Sequence, residues 1–319
     1  MARIWIIGGG LIGCGWAVAF AGAGHETSVI DPDERKTARL ADTRLKTRQV
    51  VGALGNLRPD ARAPLWCVSA EDAGQAPELV QECLPERMEL KVDALAALEP
   101  LLCRDTIIVS SSSGLDPDGI AEVLSYPDRF LIAHPCNPPY LMPVVELCGG
   151  SSTTAETIER ADAIYQSMGK TVLKLSKPMP GHLVNRLQAA LWREAVHLAR
   201  EGVASIGDIE KAVIQGLAPR WCFVGPTGVF HLAGAEGGGI ARCIDQLGPE
   251  IERWWASLGA PTLDAEARSM LAKGMRDFDP RPVGQIAAER DERLAGLITL
   301  LAEGADRNST FIQTGGNNG

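Results

Sequence analysis

The feature that most restricts the fold lies between residues 4 and 31. The apolar run Ile4-Trp5-Ile6-Ile7 reads as a buried strand and stops at Gly8-Gly9-Gly10-Leu11-Ile12-Gly13, a match to GxGxxG. Ile12 to Ala23 continues as a small-residue helix, Thr27-Ser28-Val29-Ile30 returns as a strand, and Asp31 follows. The motif alone is weak, because glycine-rich loops match it by chance. Between a strand and a helix, with an acid eighteen residues after Gly13, it reads as a dinucleotide-binding turn. Gly8 makes the tight turn, Gly10 lets a pyrophosphate approach the backbone, and Gly13 lets the helix pack closely on the strand. The diphosphate then caps the helix N-terminus. Asp31 is placed to accept from the adenosine ribose hydroxyls, and Asp33 with Glu34 would repel a 2′-phosphate, so NAD is expected over NADP. A flavin, or a structural turn with no ligand, satisfies the same motif.

Further runs extend the alternation. A polar helix is expected from Asp33 to Val51, strands at Glu78–Cys83, Thr106–Val109, Phe130–Ala133 and Val144–Leu147, and a helix from Arg87 to Leu98. Strands alternating with helices predict an α/β domain, a Rossmann-type, doubly wound and mostly parallel sheet. The pattern changes near Ser176-Lys177-Pro178 and Pro180-Gly181. Beyond it Val184, Leu187, Leu191, Ala195 and Leu198 recur at helical spacing. At 319 residues the chain has room for about two domains. The expected division is 1–178 as the NAD-binding domain and 179–305 as an all-helical substrate domain. Residues 306–319 read as a polar tail.

Composition narrows the partners. The formal charge is −9 with no basic run, which argues against nucleic acid, since phosphate binding needs clustered Lys and Arg. Eight scattered cysteines form no CxxC or zinc spacing, so a reduced, cytoplasmic protein with no metal is expected. Ile4 to Gly24 carries no charge, but its seven glycines would weaken a membrane helix, and no membrane partner is expected.

A second cluster, Ala133-His134-Pro135-Cys136-Asn137-Pro138-Pro139-Tyr140, precedes Val144-Val145-Glu146. A lone histidine is more often a packing or surface residue than a catalyst. His134, however, ends a strand of an α/β sheet, the edge where such sheets bind their ligands. Glu146 on the next strand could return beside it, fix its tautomer and leave the other ring nitrogen as a base. Ser110-Ser111-Ser112-Ser113 supplies hydroxyls at the same edge, or is a plain polar loop.

Taken in order, GxGxxG with Asp31, Glu82-Cys83-Leu84-Pro85-Glu86 with Lys91, Ser113, His134 to Pro138, Glu146 and Gly181-His182-Leu183-Val184-Asn185-Arg186 resemble the 3-hydroxyacyl-CoA dehydrogenase superfamily. The short branch of L-gulonate 3-dehydrogenase (lambda-crystallin) and L-carnitine dehydrogenase is the most similar. His134-Pro135-x-Asn137-Pro138-Pro139-Tyr140 matches the gulonate-dehydrogenase loop. Trp192-Arg193-Glu194-Ala195, Gly202-Val203-Ala204 and Trp221 to Leu232 resemble carnitine dehydrogenases.

The resemblance implies His134 as general base, Glu146 as its orienting carboxylate, and Ser113 with Asn185 holding the reacting oxygen. It implies that Glu86 and Lys91 reach the nicotinamide half of NAD, and Leu11, Ile12 and Asp31 the adenosine half. It also implies a homodimer through the helical domain. Ser111 stands where acyl-CoA members usually have asparagine, and the segment from Asp31 to Leu79 is short. Both departures point away from a CoA thioester.

The expected activity is NAD-dependent interconversion of a 3-hydroxy acid and its 3-oxo acid, with a free acid such as L-gulonate or L-carnitine as substrate. A 3-hydroxyacyl-CoA dehydrogenase and a non-catalytic, crystallin-like NAD-binding protein are the alternatives. A free acid needs its carboxylate met, and Arg186 or Arg220, beside Trp221, are the candidates. For a quaternary ammonium, Trp192, Trp221, Trp254 and Trp255 offer aromatic faces.

Overall fold

The computed structural model describes residues 1–52, 57–234 and 237–314. They fall into two compact units: Met1–Arg186 with Asp291–Thr299, and Leu187–Arg290 with the residues from Leu300 onward.

The first unit is built on eight strands: β1 (Arg3–Ile7), β2 (Glu26–Ile30), β3 (Leu65–Cys67), β4 (Leu79–Glu82), β5 (Ile107–Ser110), β6 (Phe130–Pro135), β7 (Val144–Gly149) and β8 (Thr171–Leu175). They form one sheet in the order β3-β2-β1-β4-β5-β6-β7-β8. Every pairing is parallel except β6 with β7. The expected mostly parallel, doubly wound sheet is therefore what forms. Two of its strands, β3 and β8, carried no clear sequence signal. Both are edge strands, and β3 is only three residues long. Edge strands bury less, so their apolar pattern is weaker.

The helices of this unit are α1 (Leu11–Gly22), α2 (Thr37–Val51), α3 (Met88–Leu98), α4 (Pro117–Ala121) and α5 (Ala155–Gln166). Inner strand positions such as Ile4, Ile6, Val29, Ile107, Val109 and Leu131 are buried as one core with Trp16, Phe20 and Tyr165. The Trp16 ring lies 5.4 Å from both Phe20 and Tyr165, an aromatic knot between α1 and α5. This packing makes the carboxyl edge of the sheet a rigid platform for the loops that follow β1, β4, β5 and β6.

The second unit is helical, as expected: α6 (Val184–Arg200), α7 (Ile206–Lys211), a π-turn at Ala212–Leu217, α8 (Ala218–Trp221), α9 (Pro226–Ala233), α10 (Gly239–Ser257), α11 (Ala265–Phe278) and α12 (Val283–Thr314). Ser205 and Asp264 cap α7 and α11 by accepting from the N–H groups of Asp208 and Ala267.

Two boundaries differ from expectation. The sheet unit runs to Arg186 rather than 178, because Gly181 N–H donates to the Ser113 carbonyl and the Leu183 and Val184 N–H groups donate to Glu146. A stretch of α12 also belongs with the sheet, where Tyr140 Oη donates to Asp291 at 2.8 Å. Where a polar tail was expected from 306, α12 continues to Thr314. No proline interrupts it, and the glycine run begins only at Gly315, outside the described residues.

Candidate active site

The order β3-β2-β1-β4 reverses direction beside β1, and at such a switch point the loops leave a crevice open at the carboxyl edge. Gly8 sits there with φ +102°, a left-handed conformation that a side chain resists. A Cβ on Gly13 would fall 1.9 Å from the Gly8 carbonyl oxygen, so only glycine lets α1 approach β1 this closely. At Gly10 a Cβ would meet nothing within 4 Å, and no side chain caps the start of α1. The helix thus presents an open, uncapped N-terminus behind a glycine turn, the geometry a diphosphate requires. Exposed Leu11 and half-buried Ile12 flank it.

Asp31 stands at the end of β2. Its Oδ2 accepts from Gly9 N–H and Lys36 Nζ, both at 2.7 Å, and its Oδ1 from Asp33 N–H at 2.9 Å. Burial alone would raise its pKa, but Lys36 and the two backbone N–H groups outweigh it and hold the carboxyl below its ordinary value. An ionised carboxylate with spare lone pairs at the end of β2 suits ribose hydroxyls. The dinucleotide features thus converge, and the cofactor fits.

At the far side of the edge, β6 and β7 pair antiparallel with His134 directly opposite Glu146. That register puts both side chains on one face. His134 Nδ1 lies 2.7 Å from Glu146 Oε2, with the histidine 4% and the glutamate 0% exposed. The other carboxylate oxygen accepts from Leu183 N–H at 2.7 Å and Val184 N–H at 3.0 Å, so Glu146 also caps α6. Burial pushes the Glu146 carboxyl up, yet the bonds from His134, Val184 and Leu183 prevail and hold it below the usual glutamate value. The ionised partner requires the proton on Nδ1 and leaves Nε2 with its lone pair free. Around Nε2 stand Ser113 Oγ at 3.2 Å and Asn185 Nδ2 at 3.3 Å. The four residues expected to act together are together.

Other expected site residues take different places. Lys91 is 1% exposed and spends its ammonium on both oxygens of Glu82, at 2.9 Å each, and on the Leu84 carbonyl at 3.0 Å. It does not reach outward; it locks the loop after β4. Glu86 accepts from Ser112 Oγ at 2.7 Å, Ser113 N–H at 2.9 Å and Gly114 N–H at 3.1 Å, and so supports the serine that meets His134. Arg186 is exposed within the sheet unit, whereas Arg220 and Trp221 lie on α8 of the helical unit. Among the described residues, no three His, Cys, Asp or Glu side chains converge as metal ligands, and no helix is long and apolar enough to cross a membrane.

Three contributors were given no role in the sequence analysis. Glu82, the acid that ends β4, is 0% exposed and accepts from Ser110 Oγ as well as Lys91. An acid closing an apolar strand was its signal. Lys36, which pairs with Asp31, looked like one basic residue among several on α2's approach. His182 packs its ring 5.0 Å from that of His134; it stands in the Gly181–Arg186 motif, but its spacing pointed to no role.

A dinucleotide crevice beside a carboxylate-oriented histidine, itself flanked by a serine hydroxyl and an asparagine amide, defines an NAD-dependent dehydrogenase. Sequence comparison narrows the class. Residues 3–178 match the model of the 3-hydroxyacyl-CoA dehydrogenase NAD-binding domain, and residues 181–250 match the C-terminal domain of the same family. The chain belongs to the 3-hydroxyacyl-CoA dehydrogenase family. It is 35% identical to an L-carnitine dehydrogenase of Oceanobacillus iheyensis over 305 residues, covering 95% of this chain and 99% of that one. An L-carnitine dehydrogenase of Streptomyces coelicolor is 36% identical over 303 residues, covering 94% and 93%. Among solved structures, 5-formyl-3-hydroxy-2-methylpyridine 4-carboxylic acid 5-dehydrogenase, an NAD+-dependent dismutase, superposes with a TM-score of 0.83 at 27% identity. That match covers 94% of this chain and 98% of the other.

Proposed function

We propose that this enzyme oxidises the 3-hydroxyl of a free 3-hydroxy acid, L-carnitine before others, to the 3-oxo acid. The observation that carries this reading is the environment of His134 Nε2, a lone pair met by Ser113 Oγ and Asn185 Nδ2 while Glu146 holds Nδ1. A substrate hydroxyl placed between these groups loses its proton to Nε2. Ser113 and Asn185 then hold the oxygen as it becomes a carbonyl, and Glu146 stabilises the imidazolium that results. Bound NAD supplies the hydride acceptor, held by the α1 N-terminus at Gly8–Gly13 and by Asp31. Glu86, Glu82 and Lys91 support this centre by fixing the loops after β4 and β5.

The L-carnitine preference rests on the identity to L-carnitine dehydrogenases along nearly the whole chain. Arg186, or Arg220 beside Trp221, is assigned to the substrate carboxylate, since no carboxylate among the described residues pairs with either. A cytoplasmic homodimer formed through the helical unit accords with the free cysteines and with the exposed Phe223, Trp254 and Trp255. Light scattering of the purified chain checks the dimer.

The deciding experiment follows reduced-nicotinamide absorbance with L-carnitine, L-gulonate, 3-hydroxybutyrate and 3-hydroxybutyryl-CoA side by side. Turnover of L-carnitine above the rest is the expected result. A preference for the CoA thioester overturns the free-acid assignment, and NAD binding without any turnover overturns catalysis.

A further inference from the structure

His182 combines three features that rarely coincide. Its backbone adopts φ +47°, and it is the one non-glycine residue with positive φ among those described. Holding an ordinary L residue there strains the backbone. Glycine or asparagine would occupy the position at less cost, so the imidazole must be useful where it is. Its side chain is 2% exposed, and its Nε2 lies 3.0 Å from the Ser112 carbonyl. A carbonyl only accepts, so Nε2 carries the proton and Nδ1 carries the lone pair. That Nδ1 is buried with no partner.

The neighbours explain why this ring stays neutral. Burial pushes its pKa below the ordinary value, and the nearby His134 pushes the same way. The Ser112 carbonyl, Glu146 and Glu86 oppose them without prevailing. Protonating Nδ1 would bury an N–H with no acceptor beside the histidine that must itself gain a proton. A neutral ring with its centroid 5.0 Å from that of His134, tilted by 41°, is therefore built against the base.

The backbone around it has the same focus. Gly181 (φ +78°) and His182 form consecutive left-handed residues, and the turn they make delivers the Leu183 and Val184 N–H groups onto Glu146. Gly181 N–H donates to the Ser113 carbonyl at 3.0 Å. One short segment thus touches both Glu146 and the serine loop, and its only buried side chain covers the His134 ring.

We propose that His182 is a positioning residue, which clamps the ring plane of His134 against the Ser112–Ser113 loop so that Nε2 faces Ser113 and Asn185. The role rests on His134 being the base. Without the clamp, His134 keeps its Glu146 bond but gains freedom to tilt about it, and misalignment of a base lowers the chemical step more than it lowers binding.

The test compares His182→Gly, His182→Phe and His134→Gln in the full-length enzyme. Glycine relieves the left-handed strain, so folding is not at risk from the backbone, and it leaves a ring-sized gap. The expected result for His182→Gly is a kcat about 10–100-fold lower, with KM and the dissociation constant for NAD within about twofold of the parent. Imidazole added to the assay should restore part of the lost kcat by filling the gap. In 15N-histidine spectra, the low-field Nδ1–H signal of His134 should broaden in His182→Gly. His182→Phe keeps a ring against His134 but loses the Ser112 bond, and should fall between parent and glycine variant. A His182→Gly enzyme with parental kcat, or one whose NAD affinity falls as far as its kcat, overturns the proposal. If His134→Gln retains turnover, the base assignment itself fails; if it is inactive while His182→Gly keeps parental kcat, only the clamp fails.

Discussion

In the sheet unit, Glu82, Lys91, His134, Glu146 and His182 are all buried, and all but one of their polar atoms are bonded. In the helical unit, Val196, Ile209, Cys243 and Ala267 are the buried apolar side chains among the described residues, while Leu187, Trp192, Phe223, Trp254 and Trp255 are exposed. One region takes charge out of water and the other leaves apolar surface in it. Buried charge is tolerated only where partners are complete, so the sheet unit is rigid and organised before substrate arrives. Exposed aromatic surface is costly unless covered, so the helical unit is suited to recognition and assembly. The difference predicts the chemical step in the sheet unit and apolar contacts in the helical unit, and it can be tested from both sides.

The largest effect is expected at the centre of the sheet unit. His134→Gln should lower kcat by about 10²–10⁴-fold with NAD affinity nearly unchanged, because the loss is confined to proton transfer. Glu146→Gln should cost less, about 10–10²-fold, since the base remains and only its orientation and charge partner are lost. Steady-state kinetics with parallel calorimetric titration of NAD measure both. Parental turnover in the His134 variant would place the base elsewhere and break the comparison.

A smaller effect, of a different kind, should mark the helical unit. Arg220→Ala should raise KM about tenfold while kcat stays within about twofold, the signature of uniform binding. Arg186→Ala is the matching change in the sheet unit. Whichever variant moves KM identifies the unit that meets the substrate carboxylate, and an unchanged KM in both removes both arginines.

Cofactor choice tests the other end of the sheet edge. Asp31 should favour NAD over NADP by about tenfold or more, and Asp31→Ala should narrow that gap. Equal kcat/KM with both cofactors in the parent enzyme sinks the ribose assignment.

The smallest expected effect is on stability. Lys170 is half-buried beneath the loop after β6, where its ammonium donates to the Met142 carbonyl at 2.7 Å and to that of Pro139. Burial lowers its pKa to about 8 from 10.5. Below pH 8 both folded and unfolded chains carry the proton, and the burial cost is present in full. Between about 8 and 10.5 the unfolded chain binds more protons, so this cost is relieved and stability rises with pH. Urea denaturation across that window should show a steeper rise for the parent than for Lys170→Met. Equal slopes would mean that Lys170 titrates normally.

Much of the platform was legible because its signals are local. A strand, a glycine turn, a helix and an acid lie within residues 4–31, and each element announces itself by periodicity or by the demand for glycine. His134 and Glu146 were legible too, being twelve residues apart on strands that pair in register. The resemblance placed Lys91 toward the nicotinamide half of NAD; only the fold shows Glu82 turned inward to meet it. The missed strands β3 and β8 are edges, whose pairing depends on neighbours already in place.

The sequence by itself determined the dinucleotide turn, the alternation that builds the sheet, and the pairing of His134 with Glu146. These follow from short-range sterics and side-chain period, which the chain carries wherever it goes. Tertiary structure alone decided that Glu146 caps α6 while orienting His134, that Asn185 arrives beside Nε2, and that His182 covers the base. Each of those contacts joins residues 37 to 51 positions apart. Their spacing follows no period, and the groups meet only after the whole sheet has been assembled between them.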